Sequence, residues 1–329
     1  MADILADSSG DISGDRQLRT TVERQDEKHK KAGRFVEAVL SFWLTGIMPA
    51  KAPANGGFMK YRLLASDLDG TLVTDDKRVT GRTKRAVEAM TAKGGIMVLS
   101  SGRPSYGVWH VARELSLDRE GGYILAYNGG ELLDCRTGEV KFSVTIPKDR
   151  IPEIIGLSRQ YKTAILTYEG EYIITESGDD IYVAGEARNV RMKIKEVPDM
   201  ISYLTFPIVK LMMVGSEEQI LKMEPVMREA LGPEFSVFRS EAYHLEILPA
   251  GIDKGSGLLK TLDYLGIPRE EAISCGDYDN DIPMNEAAGL GVAMANGCPE
   301  IKEKADYITL SNEQDGVALV IEKFMLEEE

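Results

Sequence analysis

Leu63-Leu64-Ala65-Ser66-Asp67-Leu68-Asp69-Gly70-Thr71-Leu72 is a short apolar run that stops in two carboxylates, a glycine and a hydroxyl. The apolar half has no polar face, the pattern of a strand covered on both sides in a parallel sheet, and Gly70 marks where it breaks. Ligands of open α/β sheets bind beyond the carboxyl ends of the strands, so Asp67 and Asp69 are expected to face one site. Acidic residues beside a glycine could instead open a calcium loop. An EF-hand loop needs glycine at its sixth position and glutamate at its twelfth. Counted from Asp67 those places hold Leu72 and Arg78; counted from Asp277, which opens the second acidic cluster, they hold Ile282 and Ala288. Neither cluster is an EF-hand.

Outward from this stretch the chain alternates. Thr80 is a plausible N-cap for a helix carrying Ala86, Val87 and Met90 on one face and ended by Gly94-Gly95. Ile96 to Leu99 reads as a second buried strand, ending in Ser100-Ser101-Gly102-Arg103-Pro104, with the proline suited to the first turn of the next helix. This places Ser101 beside Asp67. A third strand, Tyr123 to Tyr127, ends in Asn128-Gly129-Gly130, and a hairpin follows around Arg136-Thr137-Gly138. Strand, helix, strand is the unit of a doubly wound parallel sheet. From about 146 to 242 the pattern changes. Ala164 to Tyr168 and Tyr172 to Thr175 form a hairpin, and with Ile208 to Val214 and Phe235 to Phe238 they predict an antiparallel sheet with helices on one side. The expected organisation is an α/β core of residues 59–145 and 243–329 with an inserted α+β domain at 146–242. Lys254, a helix to Leu265, a strand Ala272 to Cys275 and Asp277-Tyr278-Asp279-Asn280-Asp281 complete the core. Residues 1–58 form an extension, disordered to about 31. The apolar segment Phe35 to Leu44 is long enough for a short helix or interfacial anchor and too short to span a bilayer.

Composition narrows the function. Of 329 residues, 43% are hydrophobic, ample for packed cores, and the formal charge of −14 argues against a nucleic-acid or anionic membrane surface. A small anionic substrate would need local cations. Three widely spaced cysteines without a C-x-x-C suggest neither a disulfide framework nor a zinc site, and fit a reducing cytoplasm.

D-L-D-G-T-L after an apolar strand resembles motif one of the haloacid dehalogenase superfamily of phosphatases and phosphotransferases. The likeness runs from about residue 60 to the C-terminus. Ser101 matches motif two, Lys254 motif three, and Gly276-Asp277-Tyr278-Asp279-Asn280-Asp281, followed by Ile282-Pro283-Met284, resembles motif four of Cof-type members. Those members carry an α/β cap between motifs two and three. The resemblance implies that Asp67 is the nucleophile and Asp69 the acid and base, roles their chemistry permits. Two carboxylates and a phosphate sharing one site require a cation, and oxygen ligands favour Mg2+. Asp67 and Asp277 are its expected side-chain ligands, with Asp69 contributing its carbonyl and Asp281 joining the set. Ser101, Gly102, Arg103, Asn128, Lys254 and Asn280 are the expected phosphate and substrate contacts. Thr71 is expected to cap the turn, and His244 to be a strand residue. Tyr278 stands where glycine is often found in motif four. The leading reading is a Mg2+-dependent phosphomonoester hydrolase of a small phosphorylated metabolite such as a sugar phosphate. The alternatives are a phosphotransferase or mutase on the same fold, and a non-catalytic phosphate-binding module. Arg188, Arg191, Lys193 and Lys195 are the nearest approach to a second phosphate site, and a solvated basic face explains them equally well.

Overall fold

The computed structural model describes residues 59–327. The readings placed on residues 1–58 lie outside the described residues. The first strand, β1 (Leu63–Ser66), is buried at every position. Because successive side chains alternate, Leu64 joins Val87, Met90, Met97, Val108 and Ile124 in one cluster, while Leu63 and Ala65 join Val98, Leu125, Leu258, Leu262 and Met284 in another. A strand filled on both faces requires helices on both faces.

After β1 come α1 (Gly81–Ala92), β2 (Ile96–Ser100), α2 (Ser105–Glu114), β3 (Tyr123–Ala126), β4 (Glu131–Asp134) and β5 (Val140–Ser143). Thr80 caps α1 by accepting from the Thr83 amide, and Ala86, Val87 and Met90 are its buried face. A second group of elements holds α3 (Ile151–Tyr161), β6 (Ala164–Glu169), β7 (Tyr172–Thr175), α4 (Ile181–Asn189), β8 (Lys193–Glu196), β9 (Leu211–Val214), α5 (Glu217–Leu231), β10 (Phe235–Glu241) and β11 (His244–Pro249). The chain then runs through α6 (Lys254–Leu265), β12 (Ala272–Gly276), α7 (Ile282–Ala287), β13 (Leu290–Ala293) and β14 (Tyr307–Ile308).

The first sheet has the order β14-β13-β12-β1-β2-β3-β4-β5, parallel from β14 to β3, with β4 and β5 antiparallel at one edge. The chain leaves β1 towards β2, whereas β12 arrives on the other side. The carboxyl ends of β1 and β12, which carry Asp67 and Asp277, therefore flank the switch point where such sheets bind ligands.

The second sheet has the order β10-β11-β9-β6-β7-β8 and departs from expectation in three ways. It is not wholly antiparallel: β8 runs parallel to β7, because α4 provides the crossover that such a pair requires. Its helices are not all on one side. Those of α3 and α5 cover Ile165, Ile174, Leu211 and Met213, while Val183 and Ala187 of α4 cluster with Leu166, Tyr168 and Met212 from the opposite face. Its last strand lies beyond the expected boundary at 242. Glu241 and His244 pair across a tight turn, so β11 closes a hairpin with β10 and sends Leu245 and Ile247 into this domain's core. The first domain resumes at α6. No helix among the described residues is long and apolar enough to cross a membrane.

Candidate active site

At the end of β1 the chain turns on one carbonyl, Leu68 O, which accepts from the amides of Thr71, Leu72 and Val73. Gly70 makes the turn possible with φ of 83°, and a Cβ there would stand 2.5 Å from Asp277 Oδ2. The Thr71 hydroxyl, expected from sequence to cap the turn, is used elsewhere, because backbone amides already close the turn. That hydroxyl donates to Asp277 Oδ1 at 2.7 Å, tying the ends of β1 and β12 together.

Lys254 enters from the first turn of α6, whose N-cap Asp253 forms a capping box with Ser256. The helix start is pressed against the turn after β3, where a Cβ on Gly129 would meet Asp253 O at 2.3 Å. The Lys254 side chain is 1% exposed, and its ammonium donates to Asp67 Oδ1 and Asp281 Oδ1, each at 2.6 Å. Asp281 in turn accepts from the Asp277 and Tyr278 amides through Oδ2. Burial pushes the Asp67 carboxyl up to about 8, against the pull of Lys254 and with the push of Asp281 and Asp277. Burial also raises Asp277, opposed by the Thr71 hydrogen bond. Burial works against the Lys254 charge, but Asp67 and Asp281 outweigh it and hold the ammonium above the ordinary lysine value.

Asp67, Asp277 and Asp281 offer carboxylate oxygens that all lie within 4.8 Å of one another, with one ammonium among them. Asp67 Oδ2 and Asp277 Oδ2 have no hydrogen-bond partner among the described residues, which leaves two hard oxygen donors free. Such a donor set fits a Mg2+-like cation. With both oxygens already engaged, Asp281 is best placed to orient Lys254 and the loop.

Asp69 lies outside that cluster. Its Oδ1 accepts from Lys77 at 2.7 Å, and Arg103 reaches Oδ2 at 2.9 Å. Both carboxylates nevertheless line one cavity of about 360 Å³, together with Ser101, Gly102, Arg103 and Asn280. The Ser101 hydroxyl accepts from the Arg103 amide at 3.2 Å. Two expected contacts are set back from the wall. Lys254 sits behind Asp67, and Asn128, in the left-handed region with φ of 55°, receives a hydrogen bond from Asn280 at 3.3 Å.

Sequence reasoning missed Lys77 and the opposite wall. Lys77 is one basic residue in an acidic loop, and only its left-handed backbone at φ 58° turns it towards Asp69. The second domain contributes Glu186, Lys210, His244 and Glu246, all at most 5% exposed. Lys210 donates to Glu246 at 3.2 Å and to the Gly102 carbonyl at 3.1 Å, joining the two domains next to Ser101. His244 is a strand residue, as expected, and lines the cavity as well. A lysine or glutamate inside an apolar strand was the available signal. Of the four basic residues weighed as a second phosphate site, none lines this cavity, and Lys193 is paired with Glu171.

A family model described as haloacid dehalogenase-like hydrolase matches residues 64–321. Among curated proteins, YxeH of Bacillus subtilis (strain 168), which carries a provisional phosphatase name, is 34% identical, over 81% of this chain and 99% of its own length. YitU of the same organism, a 5-amino-6-(5-phospho-D-ribitylamino)uracil phosphatase, is 30% identical over 80% of this chain and 97% of its own. Among solved structures, a haloacid dehalogenase-like hydrolase from Bacteroides thetaiotaomicron superposes with a TM-score of 0.77 at 40% identity, covering 80% of this chain and 99% of that one.

Proposed function

The chain belongs to the haloacid dehalogenase-like hydrolases, and from that premise we propose that it is a Mg2+-dependent phosphatase of small phosphorylated metabolites that works through an aspartyl phosphate. One observation carries the reading: Asp67 ends β1 at the switch point, bonded to buried Lys254 and converging with Asp277 and Asp281. Asp67 would attack phosphorus through a carboxylate oxygen, its charge held in place by Lys254. As the phosphorus–oxygen bond breaks, the leaving oxygen takes a proton from Asp69. A water then returns that proton to Asp69 as its oxygen attacks the acyl phosphate, releasing inorganic phosphate and restoring Asp67. Arg103 and Lys77 both pair with Asp69. An arriving phosphate offers Arg103 a stronger bidentate partner and frees Asp69 Oδ2 to carry the proton. The Ser101 hydroxyl donates to a phosphate oxygen, and Lys254 offsets charge behind the nucleophile. Bound at Asp67, Asp277 and the Asp69 carbonyl, Mg2+ would neutralise phosphate charge and align the ester with Asp67.

Water is favoured over a second sugar as acceptor by the opposite wall, where the lysine, Lys210, is paired with Glu246 and Glu186 adds a further carboxylate in place of the cations a mutase would need for a second phosphate. YitU's named substrate is a phosphomonoester on a hydroxylated chain, and a sugar phosphate is a substrate of the same kind. Incubation with glucose 1-phosphate or mannose 1-phosphate and Mg2+, assaying free phosphate and isomer together, tests the reading. Phosphate release dependent on Mg2+ supports it, whereas isomerisation without phosphate release contradicts it.

A further inference from the structure

Four buried ionisable side chains of the second domain, Glu186 on α4, Lys210 just before β9, and His244 and Glu246 on β11, are not used by the chemistry above. Glu186, Lys210, His244 and Glu246 are 3%, 2%, 4% and 5% exposed, and all line the cavity opposite Asp67. Burying such groups is costly unless each finds a partner. Lys210 and Glu246 have each other. Glu186 accepts from the Tyr168 hydroxyl at 2.8 Å through Oε1 and from Asn189 at 3.2 Å through Oε2. His244 is the exception. Its Nε2 is buried without a hydrogen-bond partner and stands 3.9 Å from Glu186 Oε2, beyond hydrogen-bonding distance.

We propose that His244 and Glu186 form a hydroxyl-binding subsite that receives the leaving group of the phosphomonoester. The proposal rests on the phosphatase reading above and adds to it a residue pair that selects substrate. A hydroxyl oxygen about 2.8 Å from each atom spans the pair, accepting from Nε2–H and donating to Oε2. A small turn of the imidazole presents Nε2 to the cavity that the ring already lines. Leaving groups without a hydroxyl forgo both bonds and leave His244 Nε2 unsatisfied, the situation in which polar sites discriminate most strongly. The wall also rejects anions. Lys210 is matched by Glu246, so Glu186 is a surplus negative charge facing the substrate, and a second phosphate or a carboxylate there meets repulsion. The ligand class is therefore a neutral, hydroxyl-bearing organic group esterified to one phosphate.

The test compares kcat/KM for glucose 6-phosphate, p-nitrophenyl phosphate and glucose 1,6-bisphosphate, with Mg2+, in the full chain and in its His244→Leu, His244→Gln and Glu186→Gln variants. The ratio of glucose 6-phosphate to p-nitrophenyl phosphate should fall about tenfold in His244→Leu, the cost of roughly one lost polar contact. His244→Gln, which keeps a donor, should recover part of that ratio. Glu186→Gln should raise the bisphosphate relative to the monophosphate. Each variant's melting temperature separates failed folding from lost selection, and the isosteric Glu186→Gln variant decides the matter if His244→Leu does not fold. An unchanged glucose 6-phosphate to p-nitrophenyl phosphate ratio in folded His244→Leu, or an unchanged bisphosphate to monophosphate ratio in Glu186→Gln, overturns the subsite and leaves the phosphatase reading intact. Absence of Mg2+-dependent turnover of all three esters by the unaltered chain overturns both.

Discussion

Lys254→Met replaces a buried ammonium by an apolar side chain of similar length, and its cost follows from the contacts. Lys254 bonds two carboxylates at 2.6 Å with 1% exposure. At an effective dielectric constant near 20, one such pair at 2.6 Å is worth about 6 kcal/mol, so two give a gross attraction of about 13 kcal/mol. Desolvation of the charges offsets much of that. Breaking a buried pair by removing one partner costs a net of about 3–5 kcal/mol. In chelator the variant should therefore melt roughly 10 °C lower, since each kcal/mol shifts a domain of this size by about 2–4 °C. The loss should be larger at about pH 8 than at about pH 6, because a protonated Asp67 relieves part of the repulsion that Lys254 would otherwise neutralise. Added Mg2+ should restore a share of it, and turnover should fall by about 10²–10³. Urea titration and calorimetry, each with and without chelator, measure these quantities. A variant less than about 1 kcal/mol weaker in chelator at the higher pH would refute the idea that Lys254 neutralises the cluster.

Other outcomes follow from the same geometry. Thr71→Val removes the hydroxyl that fixes Asp277 and should weaken Mg2+ binding about tenfold or more by calorimetric titration, with little change in fold. Asp67→Asn and Asp69→Asn should each abolish steady-state phosphate release, and the double variant should be no worse than either, because the two act as a unit. The metal-free protein should lose stability as pH rises. Asp67 has its ordinary value of 3.8 unfolded and about 8 folded, so between these values the native state holds a proton that the unfolded chain has released. Unfolding midpoints in chelator should therefore fall between about pH 5 and pH 8, by at most about 1.4 kcal/mol per unit, and saturating Mg2+ should flatten the slope.

The core was legible because its physics is local. Leu63-Leu64-Ala65-Ser66 has no polar face, so it had to lie inside a covered sheet, and the carboxylates after it had to project from the strand end. Thr80 announced its helix through a cap that needs only neighbouring amides. The second sheet was less legible. β8 is a mostly exposed run of lysines and glutamate, Lys193-Ile194-Lys195-Glu196, held as a strand by pairing with β7 and without an apolar pattern of its own. His244 to Pro249 looked like a return to the core because it precedes Lys254 in sequence. Only its pairing with β9 and β10 shows which sheet it completes. Long-range polar contacts were hidden for the same reason: the Thr71–Asp277 bond spans 206 residues, and the Lys210–Gly102 bond spans 108.

Phosphorylation of Asp67 is the central claim, and intact-protein and peptide mass spectrometry after an acid quench tests it most directly. The Asp69→Asn chain, mixed with Mg2+ and excess p-nitrophenyl phosphate, should gain the mass of one phosphoryl group, located on the peptide that contains Asp67. The Asp67→Asn chain should gain none. Phosphate release by the unaltered chain together with an Asp67→Asn chain that turns over substrate, or a phosphoryl group located elsewhere, would contradict the account.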